Sequence, residues 1–346
     1  MRKQVRILTV RAALIAVILP VGLSAQTESC ASAESFFRQH QWAEAADAYS
    51  DCEASTPGRT DALLYRAKAL VNEDQFAAAV EALDSYSRTH SESDDALYLL
   101  GYALFRQDKP RESLEAFQRA ARVKTPAAGD LKIAALDYVL LEDYNSAARY
   151  LDGSLRLNPD DLEARYHLGR VRYQLNQFDA AIAAFQLVLK TNPHDLKAQN
   201  NLGLCFEGKN QVDDALAAYH KAIDLDTASP VHSEQPYLNF GRLLLTLNRN
   251  SEAIESLQKA VSYAPQSAGT HYELGRALVS LNQLEPARTQ LEQATRLNEK
   301  ESSAHYLLGR VYKRLGRDAD AAAQFAITEQ LIRNQNAKNG GMASSR

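Results

Sequence analysis

A period of 34 residues constrains this chain more than any other feature. A small residue returns at Ala45, Ala79, Ser113, Ala147, Ala181, Ala215, Ala253, Ala287 and Ala321, spaced by 34 except at one four-residue insertion. Twelve residues earlier, six of the nine units carry a glycine, at Gly101, Gly169, Gly203, Gly241, Gly275 and Gly309. Four residues after the small column comes a bulky one: Tyr49, Leu83, Phe117, Leu151, Phe185, Tyr219, Leu257, Leu291 and Phe325. A repeat of this length is a pair of helices that cannot bury its apolar face alone and must stack on its neighbours. The small residue lets a neighbouring helix come close, and the bulky one a turn later fills the gap.

Several units close on a turn signal, as in Asn158, Pro159, Asp160, Asp161 and in Asn192, Pro193, His194, Asp195, with a third at Ala264, Pro265, Gln266, Ser267. Proline cannot continue the second helix of a pair, and the polar residues after it are suited to cap the first helix of the next.

These columns carry a resemblance to the tetratricopeptide repeats. In residues 162–195, Leu168, Gly169, Phe178, Ala181, Phe185 and Pro193 fall on the family's leucine, glycine, aromatic, alanine, aromatic and proline positions, and residues 302–335 repeat the pattern with Leu308, Gly309, Tyr312, Ala321 and Phe325. Three units carry Ala33, Ala67 and Ala135 where glycine is usual, and alanine is still small. The resemblance covers residues 26 to 335. It implies an all-α fold, a right-handed α-solenoid of nine helix-turn-helix repeats: 26–59, 60–93, 94–127, 128–161, 162–195, 196–229, 234–267, 268–301 and 302–335. The insertion Pro230 to Ser233 between the sixth and seventh is the expected place for a change of curvature. Residues 336–346, without apolar periodicity, are expected to be a disordered tail.

Residues 1–25 break the period. Arg2, Lys3, Arg6 and Arg11 precede the apolar run 12–19, followed by Pro20, Gly22, Ser24 and Ala25, the order of a secretory signal peptide. The expected location is periplasmic or secreted, with a membrane anchor through an uncleaved N-terminus as the alternative. Cysteine usage fits an oxidising compartment. Cys30 falls in the first helix of unit one and Cys52 in its second, at positions that face each other across the pair, so a disulfide between them is expected; two buried free thiols are the alternative. Cys205 has no evident partner.

The full chain has 39 basic and 43 acidic residues, and loss of the leader leaves 35 against 43. A general polyanion binder is excluded, and no nucleic-acid partner is expected. Sorted by face, the balance reverses. The resemblance implies that the first helix of each repeat lines a concave groove. Its groove positions here carry Arg38, Lys68, Arg106, Lys132, Arg170, Lys197, Arg242, Arg276, Arg310, Lys313 and Arg314, against Glu34, Asp61, Asp95, Glu163 and Glu207. Two clusters follow. One is Tyr98, Tyr102, Phe105 and Arg106, continuing through Tyr166, Arg170 and Tyr173. The other is a ladder of Arg242, Tyr272, Arg276, Tyr306 and Arg310. Interleaved tyrosine and arginine is the composition of interaction hot spots, and arginine forks onto carboxylates. The structural alternative is that an arginine such as these pairs with a neighbouring carboxylate, Glu273 for instance.

Catalysis has no support in the residues. His271 and His305 recur at one repeat position, as duplicated packing residues do, and no histidines have metal-ligand spacing. Paired acids such as Asp160 and Asp161, or Asp213 and Asp214, sit where helices start and favour the dipole. No cofactor or metal is expected. The leading function is a non-enzymatic scaffold or adaptor of the cell envelope that binds an extended peptide or protein segment, acidic ones included, in its groove. One alternative is an assembly factor for an export or surface-polysaccharide machine, acting through its convex face or ends; another is a saccharide-binding protein or enzyme. The apolar run 327–332 in the last helix is suited to homo-oligomer contact.

Overall fold

A computed structural model describes residues 21–56, 61–90 and 93–343, with side chains between 30 and 337. Among the described residues every regular element is a helix. They run α1 (Val21–Arg38), α2 (Trp42–Ser55), α3 (Asp61–Asn72), α4 (Phe76–Thr89), α5 (Asp94–Arg106), α6 (Pro110–Val123), α7 (Ala128–Leu140), α8 (Tyr144–Leu157) and α9 (Leu162–Gln174). The second half continues with α10 (Phe178–Thr191), α11 (Leu196–Gly208), α12 (Val212–Thr227), α13 (Gln235–Thr246), α14 (Asn250–Tyr263), α15 (Ala268–Ser280), α16 (Leu284–Leu297), α17 (Ser302–Arg314) and α18 (Asp318–Ala343). Odd-numbered helices are the first of each repeat and even-numbered helices the second. The chain forms two compact units, Met1–Glu142 and Asp143–Arg346, divided inside the fourth repeat.

Within each unit every helix packs on the one before and the one after. First helices also touch the first helices of adjacent repeats, α3 on α5 and α5 on α7 in the first unit, α9 through α17 in the second. The small column is the centre of this packing: Ala45, Ala79, Ser113, Ala181, Ala215, Ala253 and Ala287 are wholly buried. The bulky column does more than fill a gap between repeats. A Cβ added to the glycine column would meet it within the same repeat, at 2.9 Å from Phe117 for Gly101, 2.8 Å from Phe185 for Gly169 and 2.6 Å from Tyr219 for Gly203. Glycine is needed because the ring lies directly on the backbone of the partner helix.

The turn inside each repeat places one residue in the left-handed region, at the same repeat position nine times: His40, Asp74, Asp108, Glu142, Asn176, Asn210, Asn248, Asn282 and Gly316. Asparagine and aspartate tolerate this conformation better than other non-glycine residues, which accounts for six of the nine. Between repeats the polar residues after proline do cap. Asp161 accepts from the Ala164 amide at 2.9 Å, Asp195 from Ala198 at 2.9 Å and Ser267 from Thr270 at 3.4 Å.

The four-residue insertion is an ordered corner. Asp226, wholly buried at the end of α12, accepts from the Ser233 amide at 2.7 Å and the Tyr237 hydroxyl at 3.2 Å, and lies 3.0 Å from His232 Nδ1. The His232 ring stacks on Tyr263, centroids 4.6 Å apart.

At the N-terminus Cys30 and Cys52 are disulfide-bonded across α1 and α2, with Cα atoms 4.8 Å apart, and Cys205 is a buried free thiol. Burial pushes the Cys205 thiol up to about 12, so it is no nucleophile at neutral pH. α1 includes residues 21–25 of the expected leader, whose residues 1–20 lie outside the described residues. No described helix is long and apolar enough to cross a membrane. α18 continues to Ala343, into the segment 336–346 expected as a tail; the residues through Lys338 hold good helix formers. Residues 344–346 lie outside the described residues.

Candidate functional site

In the first unit, α5 and α7 border a concavity of about 560 Å³ lined by Tyr98, Leu99, Tyr102, Phe117 and Ile133, with Lys68, Asp95, Lys124 and Asp130 among its polar residues. Its charges at Lys68, Lys124 and Asp95 are paired within the unit. Lys124 lies 2.8 Å from Asp94 and 3.8 Å from Asp95, and Lys68 lies 3.5 Å from Asp95. The hydrogen bond from Lys124 holds the Asp94 carboxyl below its ordinary range. Tyr98 donates to the Lys124 carbonyl at 2.6 Å, and burial pushes its phenol up.

The cluster expected from the sequence is only half assembled in this unit. Tyr98 and Tyr102 line the concavity, whereas Phe105 and Arg106 do not. The Arg106 guanidinium packs 4.2 Å over the Phe76 ring, donates to the Tyr102 hydroxyl at 2.9 Å and reaches Asp74 at 3.1 Å. That is the snorkelling, carboxylate-paired role, and it ties the third repeat to the turn of the second.

The second unit contains the larger concavity, about 890 Å³, and three successive first helices build it. From α9 come Tyr166, Arg170 and Tyr173; from α11, Lys197, Asn200 and Asn201; from α13, Asn239 and Arg242. Arg170 and Lys197 have no carboxylate within 4 Å among the described residues. Asn201 donates to the Tyr166 hydroxyl at 3.1 Å, and Asn239 donates to Asn200 at 3.1 Å. Burial pushes the phenols of Tyr166 and Tyr173 up, so both stay neutral hydrogen-bonding groups. Beside the carboxylates of Glu163 and Asp195, the arrangement offers cationic donors, amide groups and aromatic faces on one concave surface, the means of gripping a chain with carboxylates.

The asparagines were not singled out in the sequence. Asn201 and Asn239 occupy the same repeat position, so the signal was present as a column, although only two repeats carry it.

The ladder is divided. Arg242 borders the concavity and lies 3.4 Å from Glu273, which lies 2.9 Å from Arg276. Tyr272, Arg276, Tyr306 and Arg310 do not line the concavity. Tyr306 is half exposed, with the Arg310 guanidinium 5.9 Å from its ring centroid, and Arg310 has no carboxylate within 4 Å among the described residues. His271 and His305 are packing residues. Each ring bridges a glutamine side chain at 2.7 Å, Gln290 or Gln324, and a backbone carbonyl, at 3.0 Å on Pro265 or 3.1 Å on Glu299.

Known proteins place this architecture. One tetratricopeptide-repeat family model matches residues 30–86, 66–130, 134–195 and 168–230, and a second matches 244–311. No curated protein sequence matches the chain. Among solved structures, a tetratricopeptide repeat protein from Parabacteroides merdae is 19% identical, with a TM-score of 0.60 over 73% of this chain and 98% of its own. Yeast Tom70 is 17% identical at a TM-score of 0.51, covering 85% of this chain and 59% of its own. A structure of the Cut9–Hcn1 assembly of APC/C is 16% identical at 0.56, over 84% and 57%. At these identities the likeness concerns the fold. The columns, the helix pairs and the family models over well more than half of the residues together show that this chain belongs to the tetratricopeptide-repeat family.

Proposed function

We propose that this protein is a non-enzymatic interaction scaffold that binds an extended, carboxylate-bearing protein segment along α9, α11 and α13. One observation carries the reading: Arg170 and Lys197 stand in a single concavity with Tyr166, Tyr173 and Asn201, and neither has a carboxylate within 4 Å among the described residues. Cations held without a counter-ion are the groups a partner's carboxylates neutralise with most gain. In the first unit Lys68, at the repeat position of Arg170, is already paired, as is Lys124, and this favours the second unit as the binding face.

The test is fluorescence anisotropy with a labelled oligoglutamate peptide, compared with oligoglutamine of the same length. Preferential, salt-sensitive binding of oligoglutamate, weakened about tenfold by the double replacement Arg170→Ala and Lys197→Ala, is the expected result. Equal binding of the two peptides counts against the reading.

The convex-face alternative would rest on exposed apolar residues of the second helices, among them Val123, Leu157 and Leu187, and single exposed apolar residues are also common on ordinary surfaces. We further propose that the scaffold works in the cell envelope, supported by the leader-like residues 1–25 and by the bonded pair Cys30 and Cys52. Fractionation of the producing cell tests this, and recovery of the protein in the cytoplasm with reduced cysteines would overturn it.

A further inference from the structure

Glu273 stands at the repeat position where the two preceding repeats carry Asn201 and Asn239. It is a buried carboxylate with its side chain 11% exposed, between two guanidiniums on the open face. Oε1 lies 3.4 Å from Arg242 Nε and Oε2 lies 2.9 Å from Arg276 Nη2, while the arginine side chains are 55% and 42% exposed. Oε2 is closed to solvent and its approach to Arg276 lacks hydrogen-bond geometry, so attraction between charges holds the group more than directed bonds do. Burial raises the Glu273 carboxyl above its ordinary range, and the two arginines oppose that rise.

Two consequences follow from this geometry. The two arginines compensate a charge that would be costly to bury alone. In return, the carboxylate cancels from within the field of two of the three ladder rungs, including Arg242, which borders the concavity. The next repeat has the apolar Leu307 at the equivalent position, and its Arg310 has no carboxylate within 4 Å among the described residues.

We propose that Glu273 is a specificity-determining residue: an internal counter-ion that competes with a partner's carboxylates for Arg242 and Arg276. It confines strong carboxylate binding to the Arg170 and Lys197 end of the concavity and admits the next rungs only to a partner acidic enough to displace it. The inference rests on the binding reading given above, and its test separates the two.

The full chain and its Glu273→Gln variant are titrated with labelled oligoglutamate at several salt concentrations, circular dichroism showing that both are folded. Glutamine keeps the shape and removes the charge. The expected result is binding about tenfold tighter in the variant, with a steeper salt dependence. Glu273→Asn, which installs the residue found at the same position in the preceding repeat, is the second variant and is expected to act in the same direction. If wild type and both variants bind alike, and Arg170→Ala still weakens binding, the role of Glu273 is overturned and the groove reading stands. Binding by none of the proteins overturns both.

Discussion

Single residues show where this repeat array departs from its own pattern. Ser113 replaces alanine in the small column, and it is answered across the interface by Asp137 of α7, both wholly buried. Ser113 Oγ lies 2.8 Å from the Gly101 carbonyl and 2.5 Å from Asp137 Oδ2, while Oδ1 has no hydrogen-bond partner. A serine hydroxyl has one proton to give. Both contacts are satisfied when Asp137 is protonated and donates to Ser113, which donates to the Gly101 carbonyl. Burial agrees, pushing the Asp137 carboxyl up to about 7 against the opposing Ser113 bond. The folded protein then holds this proton more tightly than the unfolded chain, so the contribution to stability is full below about pH 4 and falls as pH rises toward 7. The swing is on the order of 4 kcal/mol as an upper figure. Asp137→Asn is expected to remove most of this slope and to stabilise the protein near neutral pH. Urea melts across that range check it, and parallel profiles for variant and wild type would contradict it. The sequence showed Ser113 as one more small residue, because a column records size and not the polar partner that another helix supplies.

At the scale of the helix pair, two sets of positions make testable statements. A Cβ on Gly203 would stand 2.6 Å from the ring of Tyr219, which is wholly buried and also donates to Glu207 at 2.9 Å, so the ring has little room to yield. Gly203→Ala is expected to cost about 1–3 kcal/mol in chemical denaturation, a penalty of overpacking. A loss below a few tenths would show that the pair relaxes freely. In the turn inside the fourth repeat Glu142 is held at φ 59°, a conformation that costs a glutamate more than an asparagine or glycine. Glu142→Gly is expected to gain about 0.5–1 kcal/mol, less than the full strain because glycine also loosens the unfolded chain. The helix pairs, their period and the glycine and bulky columns were all legible in the sequence, since each is a repeated demand of local packing. The left-handed turn column was half legible in Asn176, Asn210, Asn248 and Asn282. It was hidden where Glu142 occupies the same turn, since glutamate does not announce a positive φ. Tyr166, Arg170, Tyr173 and Arg242 were found by position, because groove side chains follow the period. The Arg276 pairing was open in the sequence as an alternative, since Glu273 lies one turn away on the same helix, whereas that of Arg106 was not, because it depends on Asp74 from the turn of the preceding repeat.

At the scale of the whole molecule, stability in a repeat array accumulates between neighbours, so a disturbance at one end stays there. The Cys30 to Cys52 bond closes a separation of 22 residues within the first repeat. Its loss through Cys52→Ser is expected to cost about 3 kcal/mol locally in the chain-entropy account. It should speed hydrogen exchange in α1 and α2 and leave α9 through α17 unchanged; uniform loosening would show a cooperative unit larger than nearest neighbours imply. The central claim is that first helices of the second unit form the binding face, and hydrogen exchange with and without saturating oligoglutamate tests it most directly. The account predicts protection concentrated in α9, α11 and α13, around Arg170, Lys197 and Arg242. Protection confined to second helices such as α10 and α12, or to the first unit, would contradict it.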